Sequence, residues 1–193
     1  MRIIRSSEYR RMPWKNGGGE TVEVAVWPSG AALDAFDWRV SMAHVASSGP
    51  FSRFPGVDRT LAVLAGSGIR LSVAGHGTVP LDSNAPPFSF PGDAAAEAEL
   101  VAGAVDDLNV MTRRASHGHR LSRLAAAAPV NLKRDGDFLL VLVRAAAART
   151  ITNGEEHALA AGDSLLLDRA DEPRIEIAPA AAAQLYVIEL WRL

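Results

Sequence analysis

Apolar positions along this chain recur with a period of two, in short runs separated by turn residues. Residues 38–45, Trp-Arg-Val-Ser-Met-Ala-His-Val, place Arg39, Ser41 and Ala43 on one face and Trp38, Val40 and Met42 on the other. Residues 21–26 alternate in the same way, with Val22, Val24 and Val26 against Thr21, Glu23 and Ala25. Further strands are predicted at 60–64, 69–73, 88–90, 99–101 and 108–111, and then at 138–144, 149–152, 157–160, 164–167, 174–178 and 184–191. Asn153-Gly154 between two of these runs is a strong hairpin signal. Alanine blocks at 125–128, 145–148 and 180–183 favour helix by propensity, but strand patterns or proline flank each one, so no helix is predicted. Short strands with frequent turns argue for an all-β sandwich or barrel.

The two halves of the pattern echo each other. Leu61-Ala62-Val63-Leu64, a turn, an alternating strand and Phe90-Pro91-Gly92-Asp93 are matched by 139–143, a turn, a strand and Ala160-Ala161-Gly162-Asp163. That order is the order of a cupin core, so the expected fold is a bicupin, two antiparallel jelly-roll β-barrels in one chain. The weakly patterned stretch 113–131 is read as the connection between them. The expected domains are an N-terminal cupin at 1–115 with the candidate ligand site and a C-terminal cupin half at 116–193.

Composition narrows the function classes. The chain has 193 residues, a formal net charge of −2 and no cysteine. Interspersed charge offers no stripe for nucleic acid and no polybasic patch for a membrane, and the absence of thiols excludes disulfides and thiolate metal sites. Without a signal-like or membrane-spanning run, a soluble cytoplasmic protein is expected. Only Lys15 and Lys133 are lysines among 20 basic residues, a bias that fits a GC-rich bacterial genome.

The least scaffold-like stretch is Met12-Pro-Trp-Lys-Asn-Gly-Gly-Gly-Glu20. Three glycines in a row are entropically costly and suit backbone that lies against something else, or a surface turn leading into a strand. Lys15 precedes the glycines and a strand follows them, so the nucleotide-loop pattern is not met. Exposed amides beside Lys15 suit a small anion such as a carboxylate instead.

Several motifs together resemble those of the HutD/Ves family: Pro13-Trp14-Lys15-Asn16-Gly17-Gly18-Gly19, Phe36-Asp37-Trp38-Arg39-Val40-Ser41, Gly49-Pro50-Phe51-Ser52, Phe54-Pro55-Gly56-Val57-Asp58-Arg59 and Asp107-Leu108-Asn109-Val110-Met111. They cover most of 12–114, while beyond Ala115 only the general architecture matches. The resemblance implies a compact bicupin that, for HutD members, is encoded near histidine-degradation genes and modulates that pathway through a small-molecule ligand. It brings no defined reaction with it.

Metal-binding cupins use a His-x-His pair, a Glu and a later His. The loop where that pair would fall, 49–56, holds no histidine, and His117-Gly118-His119 has the spacing but lies in the connecting stretch. No metal and no cofactor are expected, and His44 reads as a partly buried structural histidine. If the Arg39–Ser41 face is interior, Arg39 requires a partner, either Glu23 or a bound acid. A guanidinium holds a carboxylate bidentately. The candidate ligand-binding set is Lys15, Asn16, Arg39, Ser41, Arg59, Asn109 and Arg113, with Trp14 and Phe51 as a flat wall or as plain core. Arg59 and Arg113 also read as scaffold or as a solvated strand end. The expected function is metal-independent binding of a small carboxylate such as urocanate or N-formylglutamate, without nucleic-acid or membrane partners and with a homodimer left open. A cupin enzyme acting on a small acid, with Glu23 or His44 as base, and a protein-interaction module are the alternatives.

Overall fold

The computed structural model describes residues 1–14, 17–152 and 154–193. Among them are nineteen strands and one 3-10 turn, Ser6–Glu8. The predicted absence of α-helix is met despite the alanine blocks, and no helix is long and apolar enough to cross a membrane.

The strands are β1 Arg2–Ile4, β2 Arg10–Pro13, β3 Gly19–Trp27, β4 Trp38–Val45, β5 Gly49–Pro50, β6 Val57–Ala65, β7 Ile69–Val73, β8 Gly77–Leu81, β9 Phe88–Pro91, β10 Ala96–Leu100 and β11 Val105–Arg113. They continue as β12 His117–Ala126, β13 Val130–Lys133, β14 Phe138–Arg144, β15 Ala148–Thr152, β16 Glu155–Leu159, β17 Ser164–Leu167, β18 Arg174–Pro179 and β19 Ala183–Arg192. The chain divides into two compact units, one of Arg10–Gly118 with Leu193, the other of Met1–Tyr9 with His119–Arg192.

Each unit is a pair of antiparallel sheets around an apolar core. In the Arg10–Gly118 unit, a sheet ordered β2-β3-β4-β11-β6-β9 faces one ordered β5-β10-β7-β8. Ala43, Val45, Leu61, Val63, Phe90 and Val105 from the first sheet pack against Ile69, Leu71, Val73, Leu81, Ala96 and Ala98 from the second. The other unit pairs β1-β17-β14-β19-β12 with β13-β18-β15-β16. There Leu139, Val141, Val143, Leu165, Leu167, Leu185 and Val187 meet Ala148, Leu159, Ile175 and Ile177. Strand pairing repeats without exception: β4-β11-β6-β9 with β5-β10-β7-β8 has the same order as β12-β19-β14-β17 with β13-β18-β15-β16. The echo read from sequence is therefore an eight-strand pattern used twice.

Residues 113–131, read as a connection, instead carry the ten-residue β12. Its sequence, His-Gly-His-Arg-Leu-Ser-Arg-Leu-Ala-Ala, is an edge strand in which His117 is buried while Arg120 and Ser122 face solvent, a mixture that weakens the period-two signal.

The Gly-Asp turns of the predicted echo fall at different places in that pattern: Gly92-Asp93 follows β9, whereas Gly162-Asp163 precedes β17, the counterpart of β9. The Asp93 carboxylate accepts hydrogen bonds from the Gly56 amide at 2.6 Å and from Arg114 at 2.7 Å. The Asp163 carboxylate accepts from the Ser6 amide at 2.9 Å, the Ala160 amide at 3.0 Å and Arg5 at 2.7 Å. Burial alone would raise Asp163, but these donors outweigh it and hold the carboxyl below its usual range.

Candidate functional site

Side chains with even spacing along a strand share a face, and residues opposite one another on neighbouring strands form rows across the sheet. Ala43, Val45, Leu61 and Val63 lie in the core of the Arg10–Gly118 unit. Period-two alternation then puts Arg39, Ser41 and Arg59 on the same inward face.

Three rows can be followed across β3, β4, β11, β6 and β9. The first runs Val26, Arg39, Met111, Arg59, Phe90. The second runs Glu23, Ser41, Asn109, Leu61, Phe88, and the third Thr21, Ala43, Asp107, Val63. A bulge between Glu23 and Ala25 shifts the phase of β3 and leaves Glu23 opposite Ser41. Two arginines thus stand in one row with Met111 between them, two strand spacings or roughly 10 Å apart.

Each arginine is tied diagonally to the next row. Arg39 donates from Nε to the Glu23 carboxylate at 2.7 Å, and its Nη1 lies 3.5 Å from the Ser41 hydroxyl. Arg39 is buried and Glu23 nearly so, so Glu23 is the partner that a buried Arg39 requires. Arg59, 6% exposed, donates from Nη2 to the Asn109 side-chain carbonyl at 2.6 Å and from Nη1 to the Ser52 carbonyl at 3.2 Å. Its guanidinium lies 5.2 Å from the Phe51 ring, 5.6 Å from Phe54 and 5.2 Å from Phe90, a cage that favours a cation. Its Nε is buried without a hydrogen-bond partner among the described residues. Burial pulls Arg59 down to about 10, with Asp107 opposing and Arg39 adding to the effect; it stays charged at neutral pH.

The third row contributes a residue absent from the sequence-predicted set. Asp107, 1% exposed, accepts a 2.6 Å hydrogen bond from the Asn109 amide, completing a chain Arg59–Asn109–Asp107. Burial pushes its carboxyl up to about 7, against the pull of Arg59 and of the Asn109 hydrogen bond. The signal was present in the sequence. Asp107 shares strand parity with Asn109, and a carboxylate two residues before a suspicious strand asparagine belongs on the same face.

Other predicted residues go elsewhere. Arg113 donates to the backbone carbonyls of Phe36, Pro55 and Asp34 and lies 5.4 Å from the Phe36 ring. It clasps two loops and is not brought to the Arg39–Arg59 row. Lys15 and Asn16 lie outside the described residues. Trp14 and Phe51 both pack against the core of this unit, and Trp14 donates from its indole to the Thr21 hydroxyl at 2.8 Å. His44 is exposed, not partly buried; it alternates outward and meets Asp106 at 2.8 Å. Glu23 is held by Arg39, so neither histidine nor glutamate is placed as a free base. His117 is buried beside Ser116, and no group of three or more His, Cys, Asp or Glu that could hold a metal occurs among the described residues. Two guanidiniums would repel a cation from the inward face, and the same donors suit an anion.

The second unit is more apolar on its inward face, where among the described residues the polar exceptions include buried Thr150 and the half-buried Glu189, paired with Arg120. The positions of β14, β17 and β19 that enclose its interior are Leu139, Val141, Val143, Leu165, Leu167, Leu185 and Val187.

Comparison with known proteins agrees with the architecture. Curated relatives include an uncharacterised 21.2 kDa protein in the hutC 3′ region of Pseudomonas putida, 42% identical over 114 residues, 58% of this chain and 57% of that protein. Protein Ves of Citrobacter koseri is 41% identical over 111 residues, 55% of this chain and 56% of its own. The matched stretch thus spans just over half the length of these relatives. The solved structure of HutD from Pseudomonas fluorescens SBW25, in a formate condition, superposes with a TM-score of 0.82 at 30% identity, covering 100% of this chain and 98% of that one. Oxalate decarboxylase from Lactobacillus farciminis shares the fold alone, at a TM-score of 0.68 and 8% identity over 98% of this chain and 85% of its own, which makes the fold cupin-like. The family model for HutD matches residues 6–186, and the chain belongs to the HutD family.

Proposed function

We propose that the protein is a metal-independent binding protein for a small carboxylate, built as a bicupin of two jelly-roll barrels, with its site on the inward face of the Arg10–Gly118 unit. The observation that carries this reading is Arg59. It is a buried cation in a cage of three phenylalanines, with one N–H that has no partner. Buried polar groups are almost always satisfied, so a stranded guanidinium donor is a feature to explain, and a carboxylate is its natural acceptor. Arg39 in the same row offers a second cationic group across Met111. Family membership favours urocanate or N-formylglutamate as the ligand and modulation of histidine utilisation as the role. The apolar interior of the second unit is consistent with a supporting part.

A thermal-shift titration with urocanate, histidine, N-formylglutamate and glutamate, with and without chelator, tests this. A ligand at a hundredfold excess over its Kd adds about 2.7 kcal/mol, and at this length each kcal/mol moves the midpoint by roughly 2–4 °C. One acid giving a chelator-insensitive shift supports the reading. Arg59→Met, which replaces the cation with an apolar chain of similar length in an aromatic cage, abolishes the shift while the protein stays folded. An unchanged shift in that variant removes Arg59 from the site.

Asp107 favours a second reading, an enzyme moving a proton on a small acid, because a carboxyl that titrates near 7 is suited to acid–base work. NMR of each acid incubated with protein in D2O decides it: deuterium incorporation or conversion supports catalysis, and unchanged spectra across the panel contradict it.

A further inference from the structure

The charges on the inward face can be counted. Among the described residues those largely buried are Arg39 on β4, Arg59 on β6, Glu23 on β3 and Asp107 on β11, while Arg10, opposite Glu23 on β2, is exposed and Arg113 leaves the row at the strand end. Arg39 and Glu23 cancel as a pair at 2.7 Å. Arg59 is left with Asn109, a neutral amide, between itself and Asp107.

Asp107 faces little else that could hold it ionised. Its cross-strand neighbours are Ala43 on β4 and Val63 on β6. From the facing sheet, β7 and β10 turn Ile69, Leu71, Ala96 and Ala98 inward and keep Arg70, Glu97 and Glu99 exposed. On its own strand Asp106 is negative and opposes ionisation, and Arg59 is the one cation that favours it. An anion placed on Arg59 would therefore withdraw from Asp107 the charge that compensates it.

Resting on the carboxylate reading, we propose that this site takes a monoanionic acid together with one proton from solvent, the proton residing on Asp107 and the ligand carboxylate on Arg59. Two buried cations, one glutamate and one protonated aspartate leave room for a single buried negative charge. A second carboxylate on the ligand would be buried without a counter-charge, which is costly. The site thus discriminates against dianions, and binding weakens as pH rises.

The test uses isothermal titration calorimetry of the full chain with urocanate and with a near-isosteric set: N-formylglutamate, which carries two carboxylates, and its two monoamides, N-formylglutamine and N-formylisoglutamine. Each is titrated between pH 6 and 8.5 in two buffers of different ionisation enthalpy. The expected result is that a monoanion binds at least tenfold more tightly than the dianion, with uptake of up to one proton from the buffer. Its affinity falls toward tenfold per pH unit at the alkaline end. Asp107→Asn, which imitates the protonated form, binds the same acid with no proton uptake and no such fall; if that variant does not fold, the two-buffer measurement on the unaltered chain decides alone. Binding of an acid without proton uptake, or equal affinity for dianion and monoamide, overturns this proposal and leaves the carboxylate reading standing. No binding of any of these acids at any pH removes both.

Discussion

At the residue scale, two buried ionic arrangements control the inward face, and they respond differently to substitution. Arg39 and Glu23 form a closed pair. Removing one member strands the other charge, so Arg39→Ala is expected to cost about 3–5 kcal/mol in urea unfolding. The double variant Arg39→Met with Glu23→Leu should recover most of that loss; strictly additive losses would contradict the pairing. Asp107 is the open arrangement. Its folded-state carboxyl titrates near 7, against an ordinary value of 3.8. Between those values the folded chain keeps a proton that the unfolded chain has lost, so stability falls as pH rises through that window, by at most about 1.4 kcal/mol per pH unit, and levels off above it. Asp107→Asn removes that slope. Urea midpoints at pH 5 and pH 8 should draw together in the variant, and an unchanged gap would show that Asp107 is not the titrating group.

At the element scale, strand positions were legible where period-two alternation or a continuous apolar run stood out. Residues 38–45 and 69–73, which alternate, and 138–144 and 164–167, which are apolar throughout, are strands with the predicted bounds. β8 and β12 were not legible, because Gly77-Thr-Val-Pro-Leu81 and the His-Gly-His start of β12 lack an apolar stripe, and such edge strands are defined by their partner. The bulge in β3 was hidden for a different reason: Val22, Val24 and Val26 alternate evenly in sequence, and only the pairing with β4 shows the phase change that turns Glu23 toward Ser41. The glycine run that drew attention has a packing explanation at one position. A Cβ on Gly19 would stand 2.2 Å from the His44 carbonyl and 3.0 Å from the Trp14 ring. Gly19→Ala should therefore destabilise by about 1–3 kcal/mol, with loss of the Trp14 near-ultraviolet signal; a neutral variant would mean that the Trp14 contact is not rigid. In the other unit, the Asp163 carboxylate anchors the segment around Ser6. Its carboxyl is held low, so its contribution is present above the ordinary value of 3.8 and lost as pH falls below it. Asp163→Asn should cost most near neutral pH, and its deficit in urea midpoint should shrink toward pH 3.

At the scale of the whole molecule, one eight-strand pattern occurs twice around apolar cores that differ in the polar groups they admit. The Arg10–Gly118 unit adds Arg39, Ser41, Arg59, Asp107 and Asn109 to its inward face, and the other unit puts mainly leucine, valine and isoleucine there, with Thr150 and Glu189 as polar exceptions. The repeat could be read from the chain because its hydrophobic order recurs, whereas the Gly-Asp turns that accompany it occupy non-equivalent places, after β9 in one unit and before β17 in the other. The location of the candidate site was partly legible too, since Arg39, Ser41, Arg59 and Asn109 meet in adjacent rows. What one sequence does not carry is which face of β4 turns inward, because both faces of that strand are buried. Nor does it reveal that Arg113 shares the parity of Asn109 yet leaves the row at the strand end to clasp the Phe36 and Pro55 backbone.

The most direct measurement of the central claim is a proton–nitrogen NMR spectrum of the arginine Nε–H groups during titration with urocanate and with N-formylglutamine. Arg59 Nε has no hydrogen-bond acceptor among the described residues, so its resonance should move downfield and saturate with the bound fraction. Arg144 and Arg149 of the other unit should stay in place. Saturable binding that leaves Arg59 Nε–H unmoved, or that shifts the second unit's arginines instead, would contradict a carboxylate site on the inward face of the Arg10–Gly118 unit.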